Sequence, residues 1–420
     1  MNRRVLSTPR AASALAVLIA AAIGLASACG NDDSATNTPS PSASPTATAS
    51  PSTSPSPSPT PFVIDGGPIT HGDAVTALAM QADADHYQSP VGAYGNMIIV
   101  QTMPAKGPDS ETVGWSYSLW DPAQNTFTPA WTDAPGLQET FMQSDGDWVE
   151  TVTRGFGGTA GMDEWTLTLR NLKTGEVRTI AQAQPGLADI NITQVTLQNN
   201  PDPSLAGGKL VWSEVHTVAG DGIQSSIMMY DIATAVTTTV EIKTDHAYQD
   251  LWSASTGGGK VSWLERDETD FRMIIHDLAT AKRITLGADA SFSQAKLTPD
   301  GRYLAVEKRD EGGSYAKFLI NVATGEKQSI VAGRQGPGLF TTPRYISWDN
   351  SVIWDTPTVV AGTAPAGLYD IQTHVLRSID STPVVQTNVA HQMGRWFVWQ
   401  ELPLPTGAAD AIYYFMELPD

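Results

Sequence analysis

From about residue 74 the chain repeats one arrangement of apolar and polar positions. An apolar strand closes on Trp or Val, a variable stretch follows, and a second strand then closes on Asp, Asn or Glu, mostly before a tight polar turn. The closing strand reads WSYSLWD, WTLTLRN, SSIMMYD, FRMIIHD, YAKFLIN, APAGLYD and AIYYFME in turn. Its last residues, Asp121, Asn171, Asp231, Asp277, Asn321, Asp370 and Glu417, lie 50, 60, 46, 44, 49 and 47 residues apart. All-strand repeats of that length indicate an all-β, seven-bladed β-propeller.

The strand before each of these is dense in β-branched and aromatic residues, as expected where both faces are covered by neighbouring blades. It is read at 96–100, 147–150, 209–212, 260–263, 302–306, 351–354 and 395–399. After the closing strand, four units carry N-L-K-T-G, D-I-A-T-A, D-L-A-T-A or N-V-A-T-G. Gly175 and Gly325 sit where such a hairpin wants a left-handed residue, so Ala235 and Ala281 imply strain or another turn type. The last unit lacks an outer strand, which would leave an open edge. Residues 74–80, AVTALAM, resemble the outer strands at 236–242 and 375–379, and are expected to close the ring by completing the last blade, with the stalk entering at that seam.

The segment LTPDGRYLAVEK at 297–308 resembles the S-P-D-G-x-x-L-A-F signature of TolB-like and dipeptidyl-peptidase-like propellers. Pro299, Asp300, Gly301, Leu304 and Ala305 match it, and Thr298 stands in place of Ser. The resemblance implies propeller architecture over most of residues 74–420. It also implies either an interaction platform or a domain that gates a hydrolase.

The first residues read as an address. Arg3, Arg4 and Arg10 precede an uncharged apolar run at 11–24, and Ala26, Ser27 and Ala28 lead to the only cysteine, Cys29. Residues 1–28 thus resemble a bacterial lipoprotein signal with Cys29 as the lipidated residue, although Ala26 replaces the usual Leu. A signal-anchor helix is the alternative reading. Residues 29–61, nearly all Ser, Thr, Pro, Ala and Asn, cannot bury enough apolar area to order themselves. At about 3 Å per residue such a tether reaches up to about 90 Å. Residues 62–420 form the propeller head, on an extracytoplasmic, membrane-anchored protein of the bacterial cell surface or periplasm.

The chain has 25 basic and 44 acidic residues. Three of the basic ones leave with the signal, so the mature charge is near −22. That argues against nucleic acid and anionic lipid headgroups, and favours cations, basic proteins or neutral glycans. A monomer is expected, and with no further cysteine its stability must come from core burial.

No G-x-S-x-G elbow, sialidase Asp-box or H-E-x-x-H pair occurs, and no cofactor or metal site is legible. His86 and His276 read as structural. One set of side chains gathers only once the fold is assumed: Glu150, Glu214, Glu265, Glu307, Asp355 and Glu401 fall at or near the ends of second strands, where a propeller would place them around one mouth of its channel. They form a candidate acidic rim for a cation, a basic peptide or a sugar; equally, acids at wet strand ends simply aid solubility. The loops read at 104–114, 154–163, 215–224, 356–365 and 402–410 leave the same rim and suit ligand binding. The function expected is a non-enzymatic binding or scaffold module for a protein or envelope glycan. The alternative is a propeller hydrolase or lyase using rim carboxylates, possibly with calcium.

Overall fold

The structure is a computed structural model. It describes residues 63–104, 114–155, 165–183, 201–218, 222–245, 250–267, 270–288, 291–309, 315–335, 338–348, 366–379, 385–403 and 411–419. Residues 1–62, including Cys29 and the tether, lie outside the described residues, as do Phe156, His246 and Asp355. Among the described residues no helix is long and apolar enough to cross a membrane.

The described strands form seven sheets with antiparallel neighbours in sequence order, the blades of a propeller. In blade 3, for instance, Ser204–Ala206, Lys209–Val218, Gly222–Asp231 and Val236–Asp245 run from the inside outward. Seven buried apolar clusters each draw on two neighbouring blades. The core is therefore a ring of interfaces, as expected for sheets covered on both faces. Large side chains fill it: Trp212 packs with Val152 and Leu167 of blade 2, and Trp263 with Val211 and Ile227 of blade 3.

The ring closes as the sequence implies. Thr76–Ala79 pairs antiparallel with Ile412–Glu417, from Thr76 opposite Phe415 to Ala79 opposite Ile412, and becomes the outer strand of blade 7. Trp120 of blade 1 then meets Phe415 edge-on with centroids 4.9 Å apart. Ahead of that strand the chain does something the sequence did not announce. Ile64–Pro68 lies parallel to Val375–Ile379 and adds a fifth strand to blade 6. The stalk therefore enters beside blade 6, not at the seam itself.

The repeated closing residue has a physical explanation. In six blades its side-chain oxygen accepts the backbone N–H groups two and three residues on, as Asn171 does from Lys173 and Thr174 (3.0 and 2.9 Å) and Asp231 from Ala233 and Thr234 (2.9 and 3.1 Å). Four residues after it the backbone is left-handed in all six, at Asn125, Gly175, Ala235, Ala281, Gly325 and His374. Ala235 and Ala281, with φ of 56° and 55°, adopt the same turn as the glycines and carry its strain.

Two sequence expectations are corrected. The second strand of blade 6 is Tyr345–Trp348, paired with Ala366–Asp370, and not residues 351–354, which lie outside the described residues. Within 215–224, read as a loop, the described residues 215–218 and 222–224 are strand. The hairpin of blade 3 continues through His216 opposite Gln224 to Val218 opposite Gly222.

Candidate binding face

Blades 1 to 6 place their tight turns, between strands one and two and between strands three and four, on one face of the ring, and blade 7 its turn between strands one and two. The connections between strands two and three, and from each blade to the next, lie on the opposite face. The two are called here the turn face and the loop face. Ile64 N–H donates to His374 O (2.9 Å) at a strand three-to-four turn, and the added strand runs from there toward Pro68 opposite Ser378. The chain thus arrives on the turn face, leaving the loop face on the far side.

The candidate rim residues divide by position. Glu214, Glu265 and Glu401 share one place in their blades, six residues into the second strand, with a Trp two residues earlier. In each the indole N–H donates to the carboxylate: Trp212 to Glu214 (2.9 Å), Trp263 to Glu265 (3.3 Å) and Trp399 to Glu401 (3.1 Å). Each carboxylate also has a basic partner. His216 Nε2 lies 2.9 Å from Glu214, Lys243 Nζ 2.9 Å from Glu265 and His71 Nε2 2.5 Å from Glu401. The bond to Glu214 raises the pKa of His216. This Trp-x-Glu repeat was visible as spacing, yet only the acid attracts notice in sequence; a buried indole needs an acceptor, and that need explains the pairing.

Glu150 and Glu307 point the other way, toward the following blade. Glu307 is buried and ion-paired with Lys317, itself wholly buried beneath the Gly338 carbonyl, which accepts at 3.2 Å. Glu150 is wholly buried, accepts the Gln143 N–H (3.1 Å), and leaves Oε2 without a partner among the described residues. Burial raises its carboxyl well above the ordinary carboxylate range. Beside it Lys296 of blade 5 reaches Asp202 at blade 3 (2.8 Å), joining two blades that are not neighbours. The five described acids are thus distributed over five blades, four of them held by a basic side chain.

A second group of polar residues, between blades 1 and 2, escaped the sequence reading. Tyr117 O–H donates to Asp133 Oδ2 (2.8 Å), Gln101 Nε2 donates to Tyr117 Oη (2.8 Å), and Trp131 Nε1 donates to Glu139 Oε2 (2.8 Å). Arg170 lies 3.6 Å from Glu139 and 4.8 Å from the centre of the Trp131 ring, which stacks on Tyr117. Burial, and then the charge of Glu139, push Asp133 up to about 7. Burial raises Glu139 as well, against the pull of Arg170. Asp133 directly follows the strand Thr126–Thr132 and Glu139 lies in the next, Leu137–Asp145, so their spacing in sequence carries no motif. Among the described residues no group of three or more His, Cys, Asp or Glu side chains is placed to hold a metal ion.

Neither a family model nor a curated protein matches the sequence. Solved structures do match. An oligogalacturonate lyase in complex with manganese is 12% identical, with a TM-score of 0.51 over 82% of this chain and 96% of that one. A prolyl endopeptidase is 10% identical, with a TM-score of 0.51 over 80% of this chain and 50% of that one. TolB from Acinetobacter baumannii is 13% identical, with a TM-score of 0.38 over 86% of this chain and 87% of that one. The chain is a seven-bladed β-propeller. The lyase and the endopeptidase, each at a TM-score of 0.51, are similar to this chain in fold alone.

Proposed function

We propose that this protein is a lipid-anchored, extracytoplasmic propeller that displays its loop face to a protein or envelope glycan and binds it without chemistry. The observation that carries the reading is the entry of the chain on the turn face through Ile64–Pro68. A stalk joined there presents the opposite face, with its long connections, away from the anchoring layer. The engagement of Glu214, Glu265 and Glu401 by indoles and basic side chains also favours binding over catalysis. These acids act as supports beneath the loops, and recognition falls to the loop residues they hold in place. Replacing Cys29 by Ser tests the anchor: the variant should leave the membrane fraction for the soluble one.

A propeller hydrolase or lyase is the second reading, favoured by the neighbouring Asp133 and Glu139 carboxyls, both of which burial raises, that of Asp133 to about 7. The lyase it is similar to was solved with manganese. Turnover of an acidic or neutral envelope glycan by the purified head, abolished in Asp133→Asn, would establish that reading in place of the first.

A further inference from the structure

At three joints the residue seven places after the closing Asp or Asn of an outer strand reaches the next blade. At the joint of blades 2 and 3 this is Arg178, which donates to Tyr230 Oη (3.2 Å) and Ile232 O (3.1 Å). At blades 5 and 6 it is Gln328, donating to Tyr369 Oη (2.8 Å). At blades 6 and 7 it is Arg377, whose Nη1 meets Met416 Sδ at 3.7 Å. Each residue contacted by side chain, Tyr230, Tyr369 or Met416, immediately precedes the closing residue of its own blade.

The joint of blades 4 and 5 has apolar residues at both positions. Ile284 stands in the place of the long polar side chain and Ile320 in that of its partner, and beside Ile284 lies a cavity of about 420 Å³. Its walls are apolar, formed by Ile275, Ile284, Tyr303 and Val322, and it opens on the turn face. The neighbouring joint shows what such a groove accepts, since Val63 from the added N-terminal segment packs beside Leu376 against the cluster of blades 5 and 6.

The rim is charged unevenly. Lys260, Lys282 and Arg302 stand there with Asp277 and Asp300. Arg302 is ion-paired with Asp300, and Asp277 Oδ1 is engaged by the Ala279 and Thr280 N–H groups and the Thr280 hydroxyl (3.1, 2.9 and 2.8 Å). Lys282 is exposed and makes no side-chain hydrogen bond or ion pair among the described residues. On a chain of net charge −19, this mouth carries one more positive than negative group. A volume of this size lies within the range of small-molecule sites, which combine apolar walls with a few polar groups that fix orientation.

We propose that the cavity between blades 4 and 5 binds a small amphipathic carboxylate, its apolar body between Ile275, Ile284 and Val322 and its carboxylate at Lys282 and Lys260. Calorimetric titration of the purified head with octanoate tests this. One saturable site is expected, with Ile284→Arg, which copies the side chain of blade 2, weakening binding by at least about tenfold. Lys282→Gln, at an exposed position that leaves packing intact, should weaken binding several-fold, and neutral octanol should bind less well than octanoate. Should Ile284→Arg melt early, Ile284→Gln, which copies blade 5, serves in its place. Equal affinity in these variants, or no saturation by octanoate at millimolar concentration, would overturn the proposal.

Discussion

His71 Nε2 lies 2.5 Å from Glu401 Oε2, and the His71 ring stacks on Tyr414 with centroids 4.5 Å apart. A residue just ahead of the closing strand is thereby bound to two strands of the last blade. Arg377 holds the same segment to blade 6, donating to Pro68 O and Asp73 Oδ1 at 2.9 Å each. Residues 64–79 therefore fasten blades 6 and 7 to each other besides completing both sheets.

Removal of this fastening should weaken the ring without unfolding it. Arg377→Ala is expected to cost about 1–2 kcal/mol, since the pair it breaks is only partly buried. Thermal melts should show that loss, and deletion of residues 63–73 should cost more. A melting temperature unchanged by both would show that the added strand contributes nothing to closure.

The left-handed alanines offer the opposite change. Ala235→Gly and Ala281→Gly should each stabilise the head by about 0.5–1 kcal/mol, because glycine adopts φ near 55° without the Cβ clash. The entropy glycine adds to the unfolded chain opposes part of that gain. Asn321→Ala should destabilise, since Ala323 and Thr324 lose their common acceptor. Urea denaturation of the three variants checks both directions.

The Trp-x-Glu pairs distinguish support from recognition. Trp263 is wholly buried, and Trp263→Phe should cost about 2–3 kcal/mol through the gap it leaves and the lost bond to Glu265. Glu265→Gln keeps an acceptor and should cost less than Glu265→Ala. A Glu265→Ala variant of unchanged stability that loses ligand binding would reassign this acid to the ligand.

Acid dependence should centre on Asp133. Its folded pKa, about 7, is raised above the ordinary value, so its contribution to stability is complete below about pH 4 and is lost as the pH rises through 7. Asp133→Asn keeps an acceptor for the Tyr117 hydroxyl and removes the titration. Relative to wild type, the variant should gain stability between about pH 5 and about pH 8, measured by urea denaturation at both. A constant difference across that range would contradict the raised pKa of Asp133.

Much of the fold was legible because it is repeated. The closing Asp or Asn recurs since six turns need the same acceptor, and Ala74 to Met80 could be matched to other outer strands by pattern. Ile64–Pro68 was not legible, because a five-residue stretch with two glycines and a proline has the composition of a linker and gains its partner only from blade 6. The rim acids were found by position, but their neighbours were not. Lys243 reaches Glu265 from the outer strand of the preceding blade, and His71 reaches Glu401 across most of the chain. Such partners leave no trace in local spacing.

The most direct test of the functional reading is photo-cross-linking in the native envelope. A photoreactive residue at Thr132, exposed at the end of an outer strand beside the loop face, is compared with one at Gln124, exposed in a turn on the other side. Display of the loop face predicts a discrete adduct from Thr132 and none of comparable yield from Gln124. Adducts from Gln124 alone would place recognition on the turn face and contradict it.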